Sequence, residues 1–225
     1  MLVEAARVLD KLGFAIGANL LSPAECAHLA AALGNVEGPG RRGLLQEPQI
    51  ASIANSEKLK QLVRPFVRSE PRAVRSIYFN KSPEANWAVS WHQDVTIAVR
   101  ERAEVPGFEA WSVKKGVLHV QPPAEILQRM LTVRIHLDDC DETNGTLELL
   151  PGSHLHGRMT AEQVDQMARE ITPVLCEVSK GGALLMRPLL LHSSRRSEST
   201  RLRRVLHIEY AGVELPKPLE WVEEA

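Results

Sequence analysis

The chain has 225 residues, with 27 Lys plus Arg against 28 Asp plus Glu, a length that suits one substantial domain and not two with a linker. Near-neutral charge supplies no field that would gather nucleic acid or an anionic membrane, so neither is expected as a partner. Three cysteines, Cys26, Cys140 and Cys176, are widely spaced and form no CxxC pair, which argues against a disulfide framework and for a reducing, cytoplasmic setting. The opening MLVEAARVLDKLGF places acidic residues among its apolar ones, unlike a signal peptide. No apolar run approaches the roughly 20 residues that a membrane helix needs.

The first part of the chain, about residues 1–68, carries helical patterns. Val3, Ala6, Val8 and Leu9 mark a helix over 3–12. A second helix reads from SPAECAHLAAAL, with Ser22 as cap, Pro23 at the first position and Gly34 as the stop. A third, over about 56–67, begins after Asn55 or Ser56 and turns Leu59, Leu62, Val63 and Phe66 toward a core. From residue 72 the period changes to short β-like runs: AVRSIYFN, VSWHQDVTIAV, LTVRIHLDD, GTLELLPGS, TPVLCEVS, GALLMRP and RVLHIEYAG. Such a series over about 70–215 predicts a mainly β fold, an antiparallel sandwich or jelly roll with the helices packed outside one sheet. A longer excursion over 100–130, with a short helix after Pro122-Pro123, has the length of a lid or binding loop.

Strand alternation puts His92 and Asp94 of WHQD on one face and Gln93 on the other. Alone, such a pair is more often a solvated strand face than a metal site, so a third ligand is needed. His192 closes the apolar run GALLMRPLLLHSSRR, as a buried ligand would. Two histidines and one carboxylate leave three coordination positions open, the arrangement of non-haem Fe(II) oxygenases. A 2-oxo acid bound there would want a guanidinium for its distal carboxylate, since that pairing is planar and charge-assisted. Downstream of His192 stand Arg195, Arg196, Arg201, Arg203 and Arg204.

With HQD at 92–94, NGTLELLPGSH at 144–154 and HSSRRSESTRLRR at 192–204 in this order, and the opening DKLGFAIGANLLSPAEC, the chain resembles the phytanoyl-CoA dioxygenase family of Fe(II)/2-oxoglutarate oxygenases. The resemblance spans most of the chain. It implies a double-stranded β-helix, a cupin-like jelly roll. It makes His92, Asp94 and His192 the iron ligands. Arg203, eleven residues after His192, becomes the clamp for 2-oxoglutarate. Gln93 and Ser194 match positions near the co-substrate. Arg134 is a further candidate, on the polar face of LTVRIHLDD with Thr132 and His136. Many relatives place an aromatic there, so Arg134 is expected to meet either the co-substrate or an anionic substrate. The resemblance further implies O2 as co-reactant, a small-molecule substrate and hydroxylation of an aliphatic C–H as the simplest outcome, with desaturation, epoxidation and ring formation left open. Related halogenases carry a small residue where Asp94 stands, which argues against halogenation. The family's range of substrates leaves the substrate open, and no signal specifies an oligomeric state.

Competing readings attend several residues. A cupin-like metalloprotein without 2-oxoglutarate, or a non-catalytic small-molecule-binding jelly roll, would also account for a buried triad. Among the arginines, alternation places Arg201 with Arg203 and turns Arg204 away, Arg201 being the more exposed candidate. His154 is read as closing the turn after LELLPG, not as a ligand. LDDCDETNG, despite Asp138, Asp139 and Asp141, is read as an Asn-Gly hairpin loop. Of Trp87, Trp91 and Trp111, Trp91 is the best candidate for a pocket wall.

Overall fold

The computed structural model describes residues 2–34, 36 and 38–224. The side chains of residues 2–6, including the expected apolar positions Val3 and Ala6, lie outside what is described. Three expected helices are present. The first is α1 (Leu2–Leu12). Helix α2 (Pro23–Leu33) opens on a capping box: Ser22 Oγ accepts from the Glu25 backbone N–H, and the Glu25 carboxylate accepts from that of Ser22. Helix α4 (Glu57–Val67), capped by Ser56, buries Leu59, Val63 and Phe66. Between them lies the unexpected α3 (Pro48–Ala54), whose seven residues are too few to display a full apolar period.

Two antiparallel sheets form the jelly roll. The larger, in spatial order, contains β1 (Phe14–Gly17), β11 (Ala183–Met186), β8 (Met130–His136), β13 (Arg203–Ala211), β3 (Arg72–Lys81) and β2 (Gly40–Arg42). The smaller contains β10 (Val174–Cys176), β9 (Leu147–Leu149), β12 (His192–Ser194) and β4 (Val89–His92). The 100–130 excursion is ordered as β6 (Glu109–Lys114), β7 (Val117–Gln121) and α5 (Ala124–Gln128), with β5 (Ile97–Ala98) pairing to β7 in a third sheet. Helix α5 follows Pro122-Pro123, as expected.

Alternation divides the strands of the larger sheet between two environments. Val133 and Ile135 of β8 and Leu206, Ile208 and Tyr210 of β13 pack outward against Leu29, Ile50, Leu59 and Val63 of the helices. Tyr210 anchors this layer by donating its hydroxyl hydrogen to the Ala54 carbonyl at 2.8 Å. Thr132, Arg134, His136, Arg203 and His207 alternate with these residues and are buried toward the interior. One part of that interior is closed by Phe14, Leu147, Leu149, Leu184 and Met186. The polar residues occupy the rest.

Three sequence expectations need correction. The run VSWHQDVTIAV is not one strand: β4 ends at His92 in the four-stranded sheet, and β5 begins at Ile97 in another. Likewise GALLMRPLLLHSS splits at residues 187–191 into β11 and β12, on opposite sheets. Nor is LDDCDETNG a hairpin loop, because β8 and β9 belong to different sheets. A 3-10 turn at Glu142–Asn144, capped by Asp141, makes that crossing. Helix α6 (Ala161–Glu170) was not expected; none of its residues is fully buried, and its apolar stripe is a short one, Val164, Met167 and Ala168, all half-buried. The three cysteines are free and buried. Among the described residues no helix is long and apolar enough to cross a membrane.

Arg187, in the turn after β11, ties the helices to the sheets. Its guanidinium donates to the carbonyls of Phe66, Gln128 and Met130 at 3.0–3.4 Å and pairs with Asp10 at 2.9 Å. Truncation would leave three largely buried carbonyls without their donor, so Arg187→Ala is expected to cost about 3 kcal/mol. For a chain of this size that lowers the thermal midpoint by roughly 6–12 °C. An unchanged midpoint in differential scanning calorimetry would contradict this role.

Candidate metal centre and its cavity

The split of VSWHQDVTIAV creates the site. His92 is the last residue of β4, and its Cα partner across the ladder is His192 at the start of β12. After His92 the chain leaves the ladder, and the Asp94 N–H donates to the Pro188 carbonyl at 2.9 Å. Asp94 therefore joins His92 by a loop, not by the strand alternation expected from sequence. The result is a cluster in which one ligand atom from each of His92, Asp94 and His192 lies within 4.8 Å of the others. His192 Nε2 is 3.7 Å from Asp94 Oδ2, and His92 Nε2 is 4.0 Å from Oδ1.

Both imidazoles are held the same way. His92 Nδ1 lies 2.9 Å from the Ser90 carbonyl, and His192 Nδ1 lies 2.9 Å from the Leu190 carbonyl. A carbonyl only accepts, so each Nδ1 carries the hydrogen it donates, which in the neutral ring leaves Nε2 with a free lone pair on the side of Asp94. Burial lowers the His192 pKa to about 4, Asp94 only partly opposing it, which keeps that ring neutral. For Asp94 burial pushes upward, but His192, His207, His92 and Arg75 together outweigh it and hold the carboxyl well below the usual range. At neutral pH these two groups are in the form that binds a cation.

The cluster opens into a cavity of about 380 Å³ lined also by Arg134, Ser194 and Arg203. Arg203 is 3% exposed, and its Nε and Nη1 have no partner among the described residues. Arg134 is 5% exposed and lies over the Phe79 ring, 5.0 Å from its centroid. Its Nη1 donates to His207 Nδ1 at 3.0 Å, while its Nε is unpartnered. Burial, reinforced by Arg203, lowers the Arg134 pKa to about 10, so it stays charged. His136, on the same strand face, has no partner on either ring nitrogen and is held neutral by burial and by the two arginines.

Other expected residues fall elsewhere. Gln93 lines the cavity, but its amide donates to the carbonyls of Gly157 and Leu189, and its oxygen accepts from the Met159 N–H. Both amide hydrogens are thus spent on the loop, and Gln93 fixes the backbone beside the ligands instead of meeting a co-substrate through a free donor. Arg201 is exposed and bonded to Asp141 and Thr143. Arg204 forms a two-pronged pair with Asp138, outside the cavity lining. His154 lies 3.2 Å from the Asp10 carbonyl at the end of α1, away from the triad. Trp87, not Trp91, lines the cavity. Lys81, not singled out from sequence, is 1% exposed and donates to Ser194 Oγ and to the Arg195 carbonyl.

Residues 9–205 match the family model for phytanoyl-CoA dioxygenase. The chain belongs to the phytanoyl-CoA dioxygenase family. Among curated relatives, a phytanoyl-CoA dioxygenase domain-containing protein 1 from Danio rerio is 27% identical over 193 residues, covering 79% of this chain and 58% of that protein. The chain thus spans a little under three fifths of this family member's length. Solved structures share the fold. The non-heme alpha ketoglutarate dependent carbocyclase SnoK from nogalamycin biosynthesis is 18% identical, with a TM-score of 0.71 over 92% of this chain and 83% of SnoK. EctD from S. alaskensis with 2-oxoglutarate and 5-hydroxyectoine is 20% identical, with a TM-score of 0.73 over 96% and 78%.

Proposed function

We propose that the chain is an Fe(II)- and 2-oxoglutarate-dependent oxygenase in which His92, Asp94 and His192 hold the iron and Arg203 holds the distal carboxylate of 2-oxoglutarate. The observation that carries this reading is Arg203 itself. A buried guanidinium with open donors is several kcal/mol out of balance until an anion meets it. This one lines the same cavity as the triad. That favours a dicarboxylate co-substrate over a cupin-like metalloprotein that needs none, and the ligands bound by EctD support the same choice.

When bound, iron, 2-oxoglutarate and O2 together supply the oxidising power to take hydrogen from an aliphatic C–H bond. The chain's part is to hold and to orient. Backbone carbonyls fix both imidazoles, and the Asp94 carboxyl, held well below the usual range, is ionised at neutral pH. Ser194, beside Lys81, offers a hydroxyl to the co-substrate, and the open Nε of Arg134 offers a second guanidinium contact. We assign hydroxylation of a small molecule as the simplest outcome; Asp94 fills the position that related halogenases leave small, which argues against halogenation. Residues 100–130 are assigned as a lid on a single domain, with Lys114 of β6 reaching the cavity. The buried free cysteines support a cytoplasmic setting.

Anaerobic titration with Fe(II) and then 2-oxoglutarate tests the reading. A visible metal-to-ligand charge-transfer band is expected with both present and with neither alone. Absence of the band at saturating concentrations would sink the proposal.

A further inference from the structure

We infer that the primary substrate is a small organic anion whose carboxylate or phosphate is bound by Arg42 and Lys114 in the cavity that holds the triad. This rests on the reading above and adds a substrate class to it. Five cationic side chains line the cavity, Arg42, Arg75, Lys114, Arg134 and Arg203, against two carboxylates, Asp94 and Glu209. Both carboxylates are already engaged. Asp94 faces the two imidazoles, and Glu209 accepts from Arg75 at 2.9 Å and from His207 at 3.2 Å.

The excess is local, because the whole chain carries a formal charge of −1. It also outlasts loading: a divalent cation adds positive charge, and a 2-oxoglutarate dianion only offsets that addition. Three net positive charges remain for the molecule that enters last. Of the residues supplying them, Arg134 is buried while Arg42 and Lys114 are exposed, so the latter two stand where a ligand arrives. Among the described residues neither is paired with a carboxylate. Lys114 Nζ donates only to Thr96 Oγ1 at 3.1 Å. Partial burial and neighbouring cations, Arg75 for both and Arg42 for Lys114, lower the pKa of each. Like charges facing one another mark a place that an anion would relieve.

The body of the substrate is indicated by the neighbouring space. A second cavity of about 450 Å³ shares Arg42, Ile77, Phe79 and Trp87 with the first and adds Pro39 and Tyr78. Arg42 therefore stands between a mainly apolar pocket, which Glu84, Asn86 and Lys115 also line, and the iron site. A molecule with an apolar portion and one anionic group fits both.

Equilibrium dialysis tests this with phenylacetate, phenyl phosphate and the uncharged phenylacetamide, against protein loaded anaerobically with Fe(II) and saturating 2-oxoglutarate. At least one anion is expected to bind roughly tenfold or more tightly than the amide. Which one identifies the group as carboxylate or phosphate. The doubly substituted protein, Arg42→Gln with Lys114→Gln, should lose the preference while keeping its thermal midpoint. Equal binding of acid and amide, no binding of any probe to millimolar concentration, or a preference that survives the double substitution would each overturn the proposal. Saturating 2-oxoglutarate prevents Arg203 from producing a false preference. If the charge-transfer band never forms, the same dialysis on metal-free protein with excess 2-oxoglutarate still reads Arg42 and Lys114. A band without the preference defeats this inference alone.

Discussion

Arg203→Ala is expected to weaken 2-oxoglutarate binding by about two to three orders of magnitude while leaving Fe(II) affinity within about a factor of three. The loss corresponds to about 3–4 kcal/mol, in the range found when one partner of a buried, hydrogen-bonded charge pair is truncated. Arg203 starts β13 with its guanidinium buried and two nitrogens unpartnered, so its removal leaves a carboxylate facing apolar and cationic surroundings with one clamp fewer. Arg203→Lys should recover only part of the loss, since an ammonium restores charge but not the planar fork. Two neighbours serve as controls. Arg201 is tied to Asp141 on the surface and Arg204 to Asp138, so Arg201→Ala and Arg204→Ala should titrate like the unmodified protein. Titration of the charge-transfer band reads all four. A change below about threefold for Arg203→Ala would remove Arg203 from the site.

The contrast among these arginines was largely legible in the sequence, because alternation on one strand sorts Arg203 from Arg204. The same holds for the order HQD, then HSS, then arginine, and for the polar face of LTVRIHLDD. Breaks within a run were not legible. Val95, Thr96 and Ile97 sustain β propensity straight through the point where the chain changes sheets, and propensity does not report hydrogen-bond partners. Yet that break is what brings Asp94 back against two imidazoles. Helix α6 had two readable signals, the capping box of Thr160 and Gln163 and a short apolar stripe of Val164, Met167 and Ala168.

Cross-strand neighbours were also hidden, since register is a property of two strands at once. In the folded chain His207 stands opposite Arg134, and Glu209 opposite Arg75. These pairs join into one buried line. Arg134 donates to His207 Nδ1, the ring donates through Nε2 to Glu209, and Arg75 donates to the same carboxylate. An arginine can only donate, so the ring must carry its hydrogen on Nε2. Burial lowers the His207 pKa, which keeps the ring neutral and able to accept from Arg134. The line fixes Arg134 at one nitrogen and leaves its Nε open. A sequence signal existed: RVLHIEYAG with the preceding arginine places Arg203, His207 and Glu209 on the inward face of a strand buried on both sides, where three polar residues need a reason.

The three residues proposed to hold iron should show the steepest losses. His192→Ala is expected to abolish the charge-transfer band and to weaken Fe(II) binding by more than about a hundredfold, because even partners that only orient a metal ligand are worth 10–100-fold. His192 is the sharper choice of the two histidines: it is 4% exposed, so the position it leaves is reached only through the cavity. His92 is more open, its side chain 39% exposed, and water or buffer imidazole has access to the position left by His92→Ala. Added imidazole should therefore restore more of the band in His92→Ala than in His192→Ala. Metal-free His192→Ala should retain the far-ultraviolet circular dichroism of the unmodified protein, since the strand pairing of residue 192 runs through its backbone. A folded His192→Ala protein that still binds Fe(II) and 2-oxoglutarate with the full band would show that the metal lies elsewhere and would overturn the assignment of all three ligands.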